Sequence, residues 1–166
     1  YQQVRTKMRK RIGAVIASVL TACVLAAAVF VILDRSGAFL KEVDMTVPAW
    51  VYVDGVKMSE CKVTITGQRN RVTHDRFTGR FAIDAAERTC RSGVTACIDW
   101  SGDGAGYDTI KYWGFGGTWE SGVARLLYIS ENMNRFAVKL DDGTVIATDD
   151  YYVPLMMLED YYPLQD

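Results

Sequence analysis

The 166-residue chain reads as an all-β domain behind a single N-terminal transmembrane helix, and two observations predict this. Residues 12–33 run for 22 positions without a charge. Beyond them the pattern changes from continuous apolar sequence to short alternating apolar and polar runs broken by turn residues, with no amphipathic stretch of three helical turns. Composition excludes collagen, coiled-coil and disordered classes: there are 14 Gly and only 3 Pro, and β-branched and aromatic residues abound.

Residues 1–11 carry Arg5, Lys7, Arg9, Lys10 and Arg11 and no acid. The remaining 14 bases and 20 acids all lie in 34–166, so a formal net charge of −1 hides a basic start and a domain of net −6. The chain opens on Tyr1 rather than Met, so upstream sequence is expected to be missing or removed.

As a helix, 12–33 reaches about 33 Å, enough to cross a bilayer core. A soluble β-rich partner would have to cover all its faces, which disfavours a buried soluble helix. The five preceding cations place the N-terminus in the cytoplasm by the positive-inside rule, which puts everything after Asp34 and Arg35 outside. Three processing alternatives compete with a plain signal anchor. Leu20-Thr21-Ala22-Cys23 fits a lipoprotein site, with Cys23 lipidated, but ten more apolar residues follow where a polar tether is normal. Ser36-Gly37-Ala38 fits an ordinary cleavage site, but after too long an apolar run. A type IV pilin would begin with its helix. A retained signal anchor is therefore expected. Ala14, Ser18, Ala22 and Ala26 recur every four residues, a stripe that permits helix packing in lipid.

A linker is expected over 34–48, with Gly37 and Pro48 as breakers, then a β domain over 49–148 and an acidic, Tyr-rich tail over 149–166. Residues 50–53 and 56–58 flank Asp54-Gly55, a strong two-residue hairpin signal. Alternation marks 61–65, 77–83 and 94–100 as half-buried strands. Further strands are expected at 109–115, 124–130, 136–140 and 144–148, with Asp141-Asp142-Gly143 turning between the last two. Short strands at this spacing predict an antiparallel β-sandwich, immunoglobulin-like in architecture, with a small barrel as the alternative. The Cys–Trp–Cys order of immunoglobulin domains is not matched, so the resemblance is architectural only.

Three cysteines fall in this domain. Cys61 shares the apolar face of its strand, Cys90 sits in the 87–93 turn and Cys97 lies on a polar face. Facing favours a Cys61–Cys90 disulfide, closing a loop whose constraint is worth about 3–4 kcal/mol. Cys97 is left as a half-buried thiol or a link to a second chain.

Candidates for chemistry are few. His74, the single histidine, lies in a polar loop where a solvated imidazole is expected rather than a catalytic base. No Cys-x-x-Cys, His-Glu-x-x-His, Gly-x-Ser-x-Gly or phosphate-binding glycine loop occurs, so neither a cofactor nor catalysis is expected. Asp99, Asp103 and Asp108 give one acidic, glycine-rich loop the texture of a calcium site, at spacings an EF-hand does not use; a solvated connection is the plain alternative. Arg69, Arg71, Arg76, Arg80, Arg88 and Arg91 crowd one stretch, whereas 141–166 holds seven acids and no base. A basic face can thus meet an acidic tail, within one molecule or between neighbours, or meet anionic envelope polymers or headgroups; solvated strand edges are the plain reading. Nucleic acid is not expected outside the cell. The tail repeats itself, Asp149-Asp150-Tyr151-Tyr152-Val153-Pro154-Leu155 against Glu159-Asp160-Tyr161-Tyr162-Pro163-Leu164. Its tyrosine pairs mark either a docking segment or packing on its own domain.

The function expected is a non-catalytic binding or assembly component of the cell envelope, anchored by 12–33. Oligomers through the helix stripe or Cys97 are compatible with this. The alternatives are an exported or lipidated ligand-binding domain, and a hydrolase built on the 99–108 loop.

Overall fold

The computed structural model describes residues 2–70, 72, 75–100, 109–114, 118 and 123–158. They fall into two units, Tyr1–Phe39 and Leu40–Asp166.

In the first unit α1 (Gln2–Arg35) is one continuous helix. Its Val15–Arg35 stretch has mean hydropathy 2.8 and no buried residue, so it is long and apolar enough to cross a membrane. Polar side chains within it are satisfied locally: Ser18 donates to the Val15 carbonyl at 2.8 Å and Thr21 to that of Ala17 at 2.9 Å. The helix ends where glycine allows it. Gly37 takes φ +75°, Gly37 N–H donates to the Asp34 carbonyl and Ala38 N–H to that of Leu33, both at 3.1 Å, which is the Schellman pattern.

The second unit holds β1 (Leu40–Val53), β2 (Val56–Asn70), β3 (Arg76–Ile83), the single turn α2 (Glu87–Cys90), β4 (Thr95–Asp99), β5 (Thr109–Trp113), β6 (Ala124–Ile129), β7 (Phe136–Leu140), β8 (Val145–Ala147) and α3 (Val153–Leu158). The Asp54-Gly55 turn is realised with both residues at positive φ, +50° and +75°, as a type I′ hairpin requires. The strands form one antiparallel sheet in the order β5-β4-β3-β2-β1-β8-β7-β6, and β5 comes up against β6, so the sheet is nearly barrel-shaped. The two separate sheets of a sandwich are not seen. Trp50, Val51 and Tyr52 pair with Ala147, Ile146 and Val145, and this short ladder joins the first and last strands into one surface.

β1 begins at Leu40, inside the segment read as a linker. Pro48 is tolerated there for a geometric reason. Its cross-strand partner Lys62 exchanges bonds with Asp84 on the side away from β1, at 2.9 and 3.1 Å. Pro48 therefore also turns its nitrogen away from β2, and no β1–β2 bond is lost.

Alternate positions fill the interior: Val63, Ile65, Phe77, Phe81, Ile83, Ile98, Leu127, Phe136 and Ile146 are almost wholly buried. The Phe81 and Phe136 rings meet edge-on with centroids 5.2 Å apart. Gly67 and Gly79 face each other across β2–β3 beneath the Phe77 ring. α2 is locked by Thr89, whose hydroxyl accepts from Ile83 N–H at 2.8 Å and lies within hydrogen-bond distance of the carbonyls of Ile83 and Ala86.

The expected Cys61–Cys90 disulfide is absent, and all four cysteines are free thiols. Cys61 points into the core, as its face predicts, but Cys90 lies on α2 and donates its S–H to the Ile83 carbonyl at 3.1 Å. Burial and the charge of Asp84 push the Cys61 thiol up to about 11. Cys97 is half-buried, opposite Thr78 and Lys111.

Candidate partner-binding surface

The tip of the β1–β2 hairpin and the segment leading into α3 form one neighbourhood. β7 is buried along its whole length, and α3 is the reason: Val153 and Met156 cover Ala137, Val145, Ala147 and Tyr52 on the outer face of β7, β8 and β1. Lys139, outward-facing and buried, donates from Nζ to the Met156 carbonyl at 2.9 Å, which satisfies an open carbonyl of α3.

The residues before α3 are fixed by charge and aromatic contacts. Arg135 holds Asp149 at 2.9 Å, which keeps the guanidinium protonated to higher pH. Tyr52 donates its hydroxyl to Asp150, and Lys57 lies 3.9 Å from the same carboxylate and 3.7 Å over the Trp50 ring. Tyr152 stacks on Tyr128 with centroids 3.7 Å apart, and Tyr151 stands edge-on to Tyr152 at 4.7 Å. Burial and then the bond to Asp150 raise Tyr52; the bond to Tyr128 and then burial push Tyr152 up to about 12. Both phenols therefore remain protonated near neutral pH.

The turn meets this segment, since a Cβ built on Gly55 would lie 3.9 Å from Met157 Cε. Seven large apolar residues are exposed among the described residues of Leu40–Asp166, and five of them gather here: Val53, Val56 (60%), Met58 (63%), Tyr151 (71%) and Leu155. Exposed apolar groups gathered in one place make this patch a candidate interaction surface. The tyrosine repeat pointed to Tyr151 and Tyr152. Sequence reasoning missed the hairpin tip, although Val56-Lys57-Met58 beside a turn carries more apolar weight than a solvated loop needs.

The arginines expected to form a binding face are largely engaged within the domain. Arg69 is buried, donates from Nε and Nη2 to the two Asp75 oxygens at 2.7 and 2.8 Å and from Nη1 to the Glu131 carbonyl, and lies 3.6 Å from the Trp100 ring centroid. Arg76 pairs with Asp99, which raises its pKa, and Arg80 donates to the Cys90 carbonyl at 3.0 Å. Asp99 is thus an ion-pair partner. Arg71, His74, Asp103, Asp108, Tyr161 and Tyr162 lie outside the described residues, as does the side chain of Ala14. Ser18, Ala22 and Ala26 are exposed on α1. Among the described residues, no group of three His, Cys, Asp or Glu side chains is placed to hold a metal.

No family model, curated protein or solved structure matches the chain.

Proposed function

We propose that this chain is a single-pass membrane protein, N-terminus cytoplasmic, whose β domain stands outside the membrane and acts as a non-catalytic binding or assembly component of the cell envelope. The observation that carries the binding role is the gathering, on the hairpin tip and the Tyr151–Leu155 stretch, of five of the seven exposed large apolar side chains among the described residues of Leu40–Asp166. The anchor rests on a 21-residue stretch of hydropathy 2.8, and the orientation on the five cations before it.

A photo-reactive side chain at Met58 or Tyr151 should yield discrete adducts in intact membranes, whereas one at Glu131, an exposed residue outside this surface, should not. Adducts from all three positions alike, or from none, refute the binding surface. For the anchor, the full chain should resist alkaline extraction from membranes, and a C-terminal tag should react with impermeant reagents in whole cells. Release without detergent, or a shielded tag, refutes it.

A further inference from the structure

We propose that the partner of the hairpin-tip surface is a second copy of this chain, which receives the tip on the exterior of its β1–β2–β3 sheet; this rests on the reading of the tip as a binding surface. The two exposed apolar residues not at the tip, Leu40 and Val72, lie together on that exterior: Leu40 pairs with Asn70, and Val72 N–H donates to the Asn70 side chain at 2.9 Å. Beside them is a hollow of about 290 Å³ lined by Leu40, Gln68, Asn70, Arg76 and Thr78, roomy enough for a valine or methionine side chain.

Charge matches the two patches. Around the tip, Asp54, Glu60, Asp149 and Asp150 outnumber Lys57 and Arg135 among the described residues. On the described exterior of β1 before the hairpin and from Lys62 through β5, once the Arg69–Asp75 pair is set aside, Lys41, Lys62, Arg76, Arg80, Arg88, Arg91 and Lys111 outnumber Glu42, Asp44, Asp84, Glu87 and Asp99. An acidic apolar knob and a hollow on a face of net positive charge are different patches of the same molecule. Their contact is therefore heterologous and joins copies head to tail, into a ring or an open row according to the rotation.

The test is sedimentation of the purified full chain in density-matched detergent. The mass should exceed the protomer's in a concentration-dependent way at low salt, and the apparent dissociation constant should rise about tenfold or more as salt shortens the screening length to about 3 Å. Met58→Lys/Glu60→Lys at the tip should lose self-association, as should Arg80→Glu/Arg91→Glu on the exterior. An equimolar mixture of the two should associate again, because the exterior variant keeps a native tip and the tip variant keeps a native face to receive it. Circular dichroism melts confirm that each variant is folded; should the arginine pair fail to fold, Lys62→Glu/Lys111→Glu replaces it.

A protomer at every concentration, association that survives both variants, or a mixture that stays apart overturns the proposal. If the chain is a protomer while Met58 still crosslinks to a different protein in membranes, self-pairing fails and the tip reading stands. If neither occurs, both fail.

Discussion

Replacing Gly67 or Gly79 by alanine tests whether the sheet's close approach at this pair is dictated by backbone or by side-chain packing. A Cβ on Gly67 would sit 2.4 Å from the Thr78 carbonyl oxygen and 2.6 Å from Gly79 Cα; one on Gly79 would sit 2.3 Å from the Thr66 oxygen and 2.5 Å from Gly67 Cα. Both are also 3.0 Å from Phe77 Cζ. The near obstacles are main-chain atoms held by the β2–β3 ladder, so the strands must part and the Phe77 ring must move with them. Overpacking of this kind costs about 1–3 kcal/mol. The gain of about 0.4–1 kcal/mol from restricting the unfolded chain offsets only part of it. The net loss is about 0.5–2.5 kcal/mol, and at roughly 4 °C per kcal/mol for a domain of this size either variant should melt about 2–10 °C lower. Circular dichroism of the full chain in detergent reads this directly. Gly143→Ala is the contrast: no atom lies within 4 Å of its Cβ, and its cost comes only from φ +86°, about 1–2 kcal/mol. Adding Phe77→Leu to Gly67→Ala should not restore the loss. A wild-type midpoint for either glycine variant, or full rescue by Phe77→Leu, would refute the reasoning.

Three further outcomes follow from buried groups. Asp75→Ala leaves the Arg69 guanidinium buried without its carboxylate and should cost about 3–5 kcal/mol in denaturant unfolding, more than Asp99→Ala at the exposed Arg76 pair. Met156→Ala should cost about 2–5 kcal/mol or detach α3, read as faster limited proteolysis after Ala147. Stability should also fall at alkaline pH. The folded state holds Cys61 up at about 11 against an ordinary 9.0, so the unfolded chain deprotonates first; the stability present below pH 9 is lost as pH rises toward 11. Cys61→Ala should flatten the slope between pH 9 and 10, before Tyr52, Tyr112 and Tyr152, all raised from 10.0, add theirs.

Local signals in the sequence were read correctly where the physics is local. The Asp54-Gly55 hairpin, the Asp141–Gly143 turn and the alternation of β3 and β4 depend on a few neighbouring residues, and the structure places elements there. What failed depends on neighbours remote in the chain. Pro48 reads as a breaker until Lys62 is seen to bond Asp84, which frees the proline's missing N–H from the ladder. Phe136-Ala137-Val138-Lys139-Leu140 alternates like a half-exposed strand, yet all five are buried because α3 returns over Ala137 and Lys139. Arg69 resembles a surface cation and is instead the anchor that ties β2 to the β6–β7 turn through Glu131. The single sheet rests on three β1–β8 pairs whose partners are nearly a hundred residues apart, and no local pattern encodes that joining.

The filled interior constrains where any function can sit. An eight-stranded sheet curled nearly into a barrel is just wide enough for its own side chains, and here Phe77, Phe81, Phe136, Leu127 and Ile146 occupy that space. Among the described residues, that leaves the outside of the sheet to meet a ligand or partner. There α3 already covers β7 and β8, which leaves the hairpin tip and the ground around Leu40 as the places where large apolar side chains are exposed among the described residues of Leu40–Asp166. Because Val56 and Met58 lie largely in solvent, their replacement removes little native packing. Val56→Ser/Met58→Ser should stay within about 0.5 kcal/mol of wild type in denaturant unfolding while abolishing adducts from a probe at Tyr151. A large loss of stability would mean that the tip is part of the fold's own core, and the assignment of this surface to binding would fall with it.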